Sequence, residues 1–348
     1  MWRDRKWCVV KKNVTMKDIA DRIGVSSGTV SKALNDKDGV SDKLKEKIKR
    51  LADEMGYRYN TMAKSMKNGM SYNIGIIMPE RFSGGISQSV YFRAYQKITT
   101  TLDGYGYYGI MNILSNEDEE ALNLPKIYQE KKVDGFIFLG QLTSDYIKVV
   151  KEIDMPIVFL DFYDEHDEID SVITDNFYGA YDITNYLIAE GHQEIGYVGN
   201  LYSTSSIQDR FLGYYKSLLE HHIKLNDEFI INDRDEKGKF IEFNLPEKLP
   251  TAFVCNCDQV AHELVSKLND IGYRVPEDFS VVGFDNDIYA TITNPQLTTV
   301  DVDVDEMVKQ TVRLIVRKVQ GENKRYGRTS VKGNIIKRNS VKKLGRDE

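Results

Sequence analysis

The chain of 348 residues reads as a small all-α helix-turn-helix headpiece followed by a bilobed α/β core with two parallel sheets. Three observations predict this. Two short helical patterns meet at a glycine within Val14–Asn35. Charge changes sign along the chain: residues 1–71 carry 17 Lys and Arg against 9 Asp and Glu, and the remainder carries 30 against 44. From Asn73 onward, short apolar runs alternate with amphipathic segments, the signature of parallel strands joined by covering helices.

The headpiece comes first. Thr15 caps a helix, and Asp18 reaches back in a capping box. Ile19, Ala20 and Ile23 mark its apolar face, and Gly24 ends it in the left-handed conformation that glycine adopts freely. Val25 turns the chain back. Ser26 caps a second helix with Val30, Ala33 and Leu34 inward and Ser27, Gly28, Thr29, Ser31 and Lys32 outward. Two helices about a short glycine turn suit a DNA-binding helix-turn-helix; an ordinary helical hairpin shows the same spacing. A third helix starts at Ser41, buries Leu44, Ile48, Leu51, Ala52 and Met55, and stops at Gly56. Its outer faces carry Lys43, Lys45, Lys47, Lys49 and Arg50, either phosphate contacts or a solvated face. Asn60 then caps two potential turns, TMAKSMK, too short to be helical alone in water. A flexible linker reads alike.

In the core, apolar runs at 73–78, 107–114, 134–139, 156–160, 171–174, 194–199, 251–255 and 280–284 predict strands. Helical patterns at 88–103, 176–190, 206–221 and 258–271 lie between them. So many strands suit two lobes, with a crevice at the strands' C-terminal ends. Asp161 ends one strand and Asp285 another, and Arg210 starts the inner face of a helix. Carboxylates accept neighbouring sugar hydroxyls, and a guanidinium donates a planar fork. Tyr91 and Phe92 are candidates to cover the ring's apolar face. Both Asp residues also suit turns or caps, and Arg210 could pair with Asp209 or Glu220.

Several chemistries are disfavoured. Cys8, Cys255 and Cys257 lack the spacing of a disulfide framework, and no histidine stands at ligand spacing from the Cys255-x-Cys257 pair, so neither metal nor cofactor is expected. No apolar run approaches the roughly 18 residues of a membrane span. The run WCVV near the start is too short for a signal-peptide core. Gly104-x-Gly106-x-x-Gly109 fits a dinucleotide fingerprint, but it follows a helix and opens a strand, the reverse of what that site needs. Gly24-x-Ser26-x-Gly28 joins two helices, unlike a nucleophile elbow.

The stretches VTMKDIADRIGVSSGTVSKALN (14–35) and SDKLKEKIKRLADEMGYRYN (41–60) resemble the lac/gal repressor family of bacterial transcription regulators, and weaker similarity continues to Ser340. The resemblance implies a core similar to periplasmic binding proteins and a hinge helix at 60–70 that pairs with its twin. The implied organisation is a disordered extension (1–13), a DNA-binding domain (14–59), the hinge, and an effector-binding and dimerisation core (71–343). The first lobe would hold 71–174 and 299–330, the second 175–298 and 331–343, with crossings near Asp175, Thr298 and Val331. Implied DNA contacts are Thr15, Ser26, Ser27, Gly28, Thr29, Ser31, Lys32, Asn35, Asn60, Ala63, Lys64 and Met66. Met66 replaces the usual leucine wedge, and Tyr59 stands where proline is usual. The resemblance places Arg210 and Asp285 on effector-binding positions and favours Asp161 as a third contact. Cys257 stands where asparagine is frequent, so one polar ligand is expected lost or moved, and Asp258 reads as a helix cap. The stretch 232–250 lacks a clear helix, with Phe240 or Phe243 as its aromatic contact.

The resulting expectation is a cytoplasmic, homodimeric repressor, not an enzyme. It binds a pseudo-palindromic operator and responds to a small-molecule effector, expected to be a neutral sugar. The alternatives are a sugar-binding protein without a regulatory role and a co-repressor-type regulator responding to a purine or sugar phosphate.

Overall fold

The computed structural model describes residues 14–57, 68–83, 87–165, 168–235 and 238–344. Two compact units divide between Gly69 and Met70. The first contains α1 (Met16–Ile23), α2 (Ser27–Leu34) and α3 (Asp42–Met55). Thr15 and Asp18 complete the capping box, and Gly24 and Gly56 end α1 and α3 with φ of 78° and 70°. Ile19, Ala20, Val30, Ala33, Leu34, Ile48 and Ala52 form one buried cluster. Three short helices can therefore bury a shared core, although none would be stable alone. The hinge residues Asn60, Ala63, Lys64 and Met66, with Tyr59, Cys8 and residues 1–13, lie outside the described residues.

The second unit contains two six-stranded sheets. The first has the order β11-β5-β4-β3-β1-β2, with β1 Asn73–Pro79, β2 Tyr108–Leu114, β3 Gly135–Leu139, β4 Ile157–Leu160, β5 Ser171–Thr174 and β11 Arg328–Val331. All its pairings are parallel. Alternate residues face opposite sides. Ile74, Ile76 and Ile137 pack against α4 (Ser87–Gly104) and α12 (Val304–Val319), while Ile77, Phe136 and Phe138 pack against α7 (Ser144–Lys151). Short helices α5 (Asn116–Glu120) and α6 (Lys126–Gln129) complete this lobe. The glycines of the 104–109 decoy fall where a turn needs them: Gly104 ends α4, Gly106 takes φ 77°, and β2 follows.

The second sheet has the order β12-β10-β9-β8-β6-β7, with β6 Ile195–Val198, β7 Ile230–Ile231, β8 Ala252–Cys255, β9 Ser280–Asp285, β10 Thr298–Asp301 and β12 Asn334–Ile336. Only β12 is antiparallel within it. Helices α8 (Asn176–Ala189) and α9 (Ser205–Glu220) cover one face, and α10 (Asp258–Asp270) covers the other, beside the short α11 (Ile288–Ile292). The described residues of the 232–250 stretch contain no helix.

The chain crosses between lobes three times: at Asp175, after β10, and between β11 and β12. The expected crossing at Thr298 is corrected. Thr298 and Thr299 are fully buried inside β10, which pairs with β9 and β12, so the chain leaves this lobe only beyond Asp301. The return crossing passes close to it. A Cβ at Gly333 would stand 2.9 Å from the Asp301 carbonyl oxygen, so the crossing strands need glycine there. Among the described residues, no helix is long and apolar enough to cross a membrane, and no three His, Cys, Asp or Glu side chains group to hold a metal ion.

Candidate functional site

The headpiece and the core each carry a candidate site. In the headpiece, α2 buries Val30, Ala33 and Leu34 and leaves Ser27, Gly28, Lys32 and Asn35 exposed. Thr29 and Ser31 are half-buried, and Thr15 and Ser26 are exposed. Two of these side chains have structural duties. The Ser26 hydroxyl accepts from the Thr29 N–H at 3.0 Å, and Thr15 Oγ1 accepts from the Asp18 N–H at 3.3 Å. Asn35 donates to the Ser31 carbonyl at 2.8 Å. Lys32 is the one long cationic side chain on α2. Several basic groups of α3 are paired along the surface, Lys49 with Asp36 at 2.6 Å and Arg50 with Glu54 at 3.1 Å.

In the core, a cavity of about 1480 Å³ opens between the lobes at the C-terminal ends of the strands. Asp161, Arg210, Asp285 and Tyr91 all line it. Tyr91 donates to Asp161 Oδ2 at 2.8 Å. Arg210 donates from Nη2 to Asp285 Oδ1 at 3.2 Å, from Nε to Asn176 Oδ1 at 2.8 Å and from Nη1 to the Asn256 carbonyl. The proposed pairings of Arg210 with Asp209 or Glu220 do not form: Asp209 accepts from Tyr163, and Glu220 pairs with Lys216 and Tyr181. Arg210 also lies 3.8 Å over the Phe284 ring, the strand residue preceding Asp285.

Both carboxylates sit on strained backbone. Asp161 has φ 70° and Asp285 φ 104°, followed by Asn286 at 51°. Such conformations cost of order 1–3 kcal/mol and persist only where surrounding contacts impose them. At the second site the contacts are visible. Asn286 donates to Asp301 at 2.7 Å and accepts from Arg338 at 2.6 Å, and the Asp287 N–H donates to Asp258 at 3.0 Å. Burial raises the Asp161 carboxyl above its usual range, against the lowering effect of Tyr91 and Arg210. Burial likewise pushes Asp285 up to about 7, with Arg210 opposing and Asp287 and Asp161 adding to the rise. Tyr91 is held well above its usual value by burial and the adjacent Asp161.

Three expectations need correction. Phe92 does not face the crevice. It is 46 % exposed and its ring sits 6.3 Å from Tyr95, because it follows Tyr91 by one helical step and so points away from the cavity. Phe243 is buried in the core under the second sheet, whereas Phe240 lines the cavity. Asp258 is no cap: it is the first residue of α10 itself, fully buried, and it accepts from Thr299 Oγ1 at 2.6 Å and from Asp287. It ties β10 to the loop that carries Asp285.

Sequence reasoning missed Arg234, Asp233 and Asn256. Arg234 lines the cavity, donates from Nε to Asp233 at 2.9 Å and from Nη2 to Asn256 Oδ1 at 3.1 Å, and lies 4.3 Å over the Phe240 ring. Asn256 thus joins both guanidiniums, taking Arg210 on its backbone carbonyl and Arg234 on its side chain. Its amide is spent on the Val198 carbonyl and Asp233, so it does not replace the polar ligand that Cys257 lacks. The sequence did point to the 232–250 stretch and the segment around Cys257 as effector-contact regions, but the polar NDRD run there looks like any loop and the aromatic residues drew the expectation instead. Two residue pairs among those described also bridge the lobes: Tyr163 donates to the Asp209 carboxylate at 3.0 Å, and the Ser205 hydroxyl donates to Gln141 Oε1 at 2.9 Å.

Comparison with known proteins agrees with this architecture. Residues 15–60 match the lacI family of bacterial regulatory proteins, and residues 184–341 match the periplasmic binding protein-like domain. The chain is 31% identical over 310 residues to the HTH-type transcriptional regulator RegA of Clostridium saccharobutylicum, covering 87% of this chain and 92% of that one. The chain belongs to the lacI family of bacterial regulatory proteins. It is also 28% identical over 343 residues to the HTH-type transcriptional repressor PurR of Vibrio campbellii, covering 95% of this chain and 99% of that one. A structure of the lac repressor dimer bound to operator and the anti-inducer ONPF superposes with a TM-score of 0.76 at 25% identity, over 95% of this chain and 100% of that one. This lacI-family protein is therefore a DNA-binding transcription regulator controlled by a small-molecule effector, and not an enzyme.

Proposed function

We propose that this regulator is a homodimeric repressor whose crevice binds a neutral sugar. The observation that carries the sugar reading is the charge pairing of the cavity. Arg81, Arg210 and Arg234 are each already matched to a carboxylate: Glu119, Asp285 and Asp233. Asp161 and Asp285 retain acceptor capacity beyond their single bonds to Tyr91 and Arg210. An anionic effector would enter beside two carboxylates with no unmatched guanidinium among the described cavity-lining residues to meet it. Vicinal hydroxyls of a neutral sugar can donate to both acids, and Tyr91, with Phe82 5.2 Å from it, offers apolar ring surface.

The DNA-binding reading places Ser27, Gly28, Thr29, Ser31 and Lys32 of α2 against base edges and phosphates, with Thr15, Ser26 and Asn35 at its margins. Residues 60–70 would act as a hinge, and two headpieces would read a pseudo-palindromic operator. The operator-bound dimer seen for the lac repressor supports this assembly, and a regulator of bacterial genes works in the cytoplasm. Closure of the lobes on the sugar would shift the hinge and weaken operator binding.

A thermal-shift screen of the full chain against monosaccharides, disaccharides, sugar phosphates and purines tests the proposal. A ligand at 100 times its dissociation constant stabilises by about 2.7 kcal/mol. A neutral sugar should raise Tm, the Asp285→Ala variant should lose the shift, and operator affinity should fall when the sugar is added. A response confined to purines or phosphates would overturn the sugar reading and leave the DNA-binding activity standing.

A further inference from the structure

The two crevice guanidiniums are used differently. Arg210 commits all three nitrogens to the protein, on Asn176, the Asn256 carbonyl and Asp285. Arg234 does not. Its Nε goes to Asp233, and its Nη2 goes to Asn256 and, at 3.8 Å, to Cys257 Sγ. Nη1 has no acceptor among the described residues, although only 11% of the side chain is exposed. Nη1 is not among the described buried polar atoms that lack a partner, so it meets solvent, and Arg234 lines the cavity; these two donors therefore open on the crevice.

We propose that Arg234 is a specificity-determining residue: its Nη1 donates to an oxygen of the neutral sugar whose hydroxyls Asp161 and Asp285 accept. This rests on the sugar reading above. The guanidinium is set in place before a ligand arrives. Asp233 is 1% exposed and is itself held by the Asn200 N–H at 2.8 Å and Asn256 Nδ2 at 2.8 Å. Phe240 supports the guanidinium face. A donor fixed in this way costs little entropy on binding. Its charge is balanced by Asp233, and Asp285 adds negative charge within reach of Arg234, so an uncharged oxygen fits Nη1 better than a carboxylate or phosphate. The crevice then reads polarity as well as shape: hydroxyl donors toward the two acids, an acceptor oxygen toward Arg234.

The test is titration calorimetry on the full chain with D-glucose, D-galactose, cellobiose, maltose, D-glucuronate, glucose 6-phosphate and hypoxanthine. The tightest neutral sugar and its monodeoxy derivatives are then compared in wild type, Arg234→Lys and Arg234→Gln. Arg234→Lys keeps a cation against Asp233 and loses the fork, so it carries the test even where Arg234→Gln fails to fold. Its affinity should fall roughly 10- to 100-fold, the range for a hydrogen bond to a charged group, while the ligand-free protein still unfolds cooperatively, at a Tm lowered by the lost bond to Asn256. One monodeoxy sugar, lacking the oxygen that meets Nη1, should bind wild type and Arg234→Lys alike. Wild-type affinity in the variants, or an equal loss for every deoxy derivative, would overturn the role of Arg234 and leave the sugar reading intact. Binding by no neutral sugar would overturn both.

Discussion

The titration of Asp285 yields a sharp expectation for effector binding. Its carboxyl is pushed up to about 7 by burial, against the attraction of Arg210 and Arg234 and with the repulsion of Asp287 and Asp161. Its ordinary value is 3.8, so between about pH 4 and 7 the folded state binds this proton more tightly than the unfolded chain. Stability from this group is fully present below about pH 4 and declines as pH rises through 7. Effector affinity has the opposite sign. Sugar hydroxyls donate to the carboxylate, and protonation removes both that acceptor and the charge facing Arg210. If only the carboxylate form binds, Kd rises about 2-fold at pH 7, about 11-fold at pH 6 and about 100-fold at pH 5 relative to alkaline pH. Asp161, also raised, steepens the low-pH end. Calorimetry from pH 5.5 to 8.5, in buffers of differing ionisation enthalpy, should show this loss together with proton release on binding. Asp285→Asn should flatten the upper part of the profile, and the Tm difference between wild type and variant should move against wild type from pH 5 to 8. A Kd that changes less than threefold between pH 8 and 6 would refute the reasoning.

Other expectations follow from particular contacts. Lys32→Ala should weaken operator binding by about 1–3 kcal/mol, the worth of a good base contact; unchanged affinity in a gel-shift titration would remove α2 from the groove. Gly213→Ala should lower stability by about 1–3 kcal/mol, because a Cβ there would stand 2.0 Å from the Phe177 carbonyl oxygen of α8; an unaltered Tm would show that α8 and α9 can part freely. Tyr163→Phe removes one bridge between the lobes, a hydrogen bond to a carboxylate worth about 1.5–3 kcal/mol. Fluorescence energy transfer between labels on the two lobes should report a more open ligand-free crevice, and an unchanged distance would deny Tyr163 that role.

Local order is what the sequence by itself determined. The capping box at Thr15 and Asp18, the glycine stops at 24 and 56, and the period of Ile19, Val30, Ala33 and Ile48 depend on neighbours a few residues apart, so the three headpiece helices and their shared core were legible. The alternation of strand and helix was legible for the same reason. So were Asp161 and Asp285, because a parallel sheet places strand ends at its crevice. Tertiary structure decided everything that depends on which distant segments meet. It put Thr298 inside the second lobe rather than at its border, since only pairing with β9 and β12 buries that strand. It turned Phe92 away from the cavity and brought Phe240 to it. It made Asp258 a brace for the Asp285 loop across 29 residues. It also joined Asp233, Arg234 and Asn256 into one network around a hydrogen bond spanning 22 residues. A buried charge must find its partner through space, and spacing along the chain carries no record of that choice.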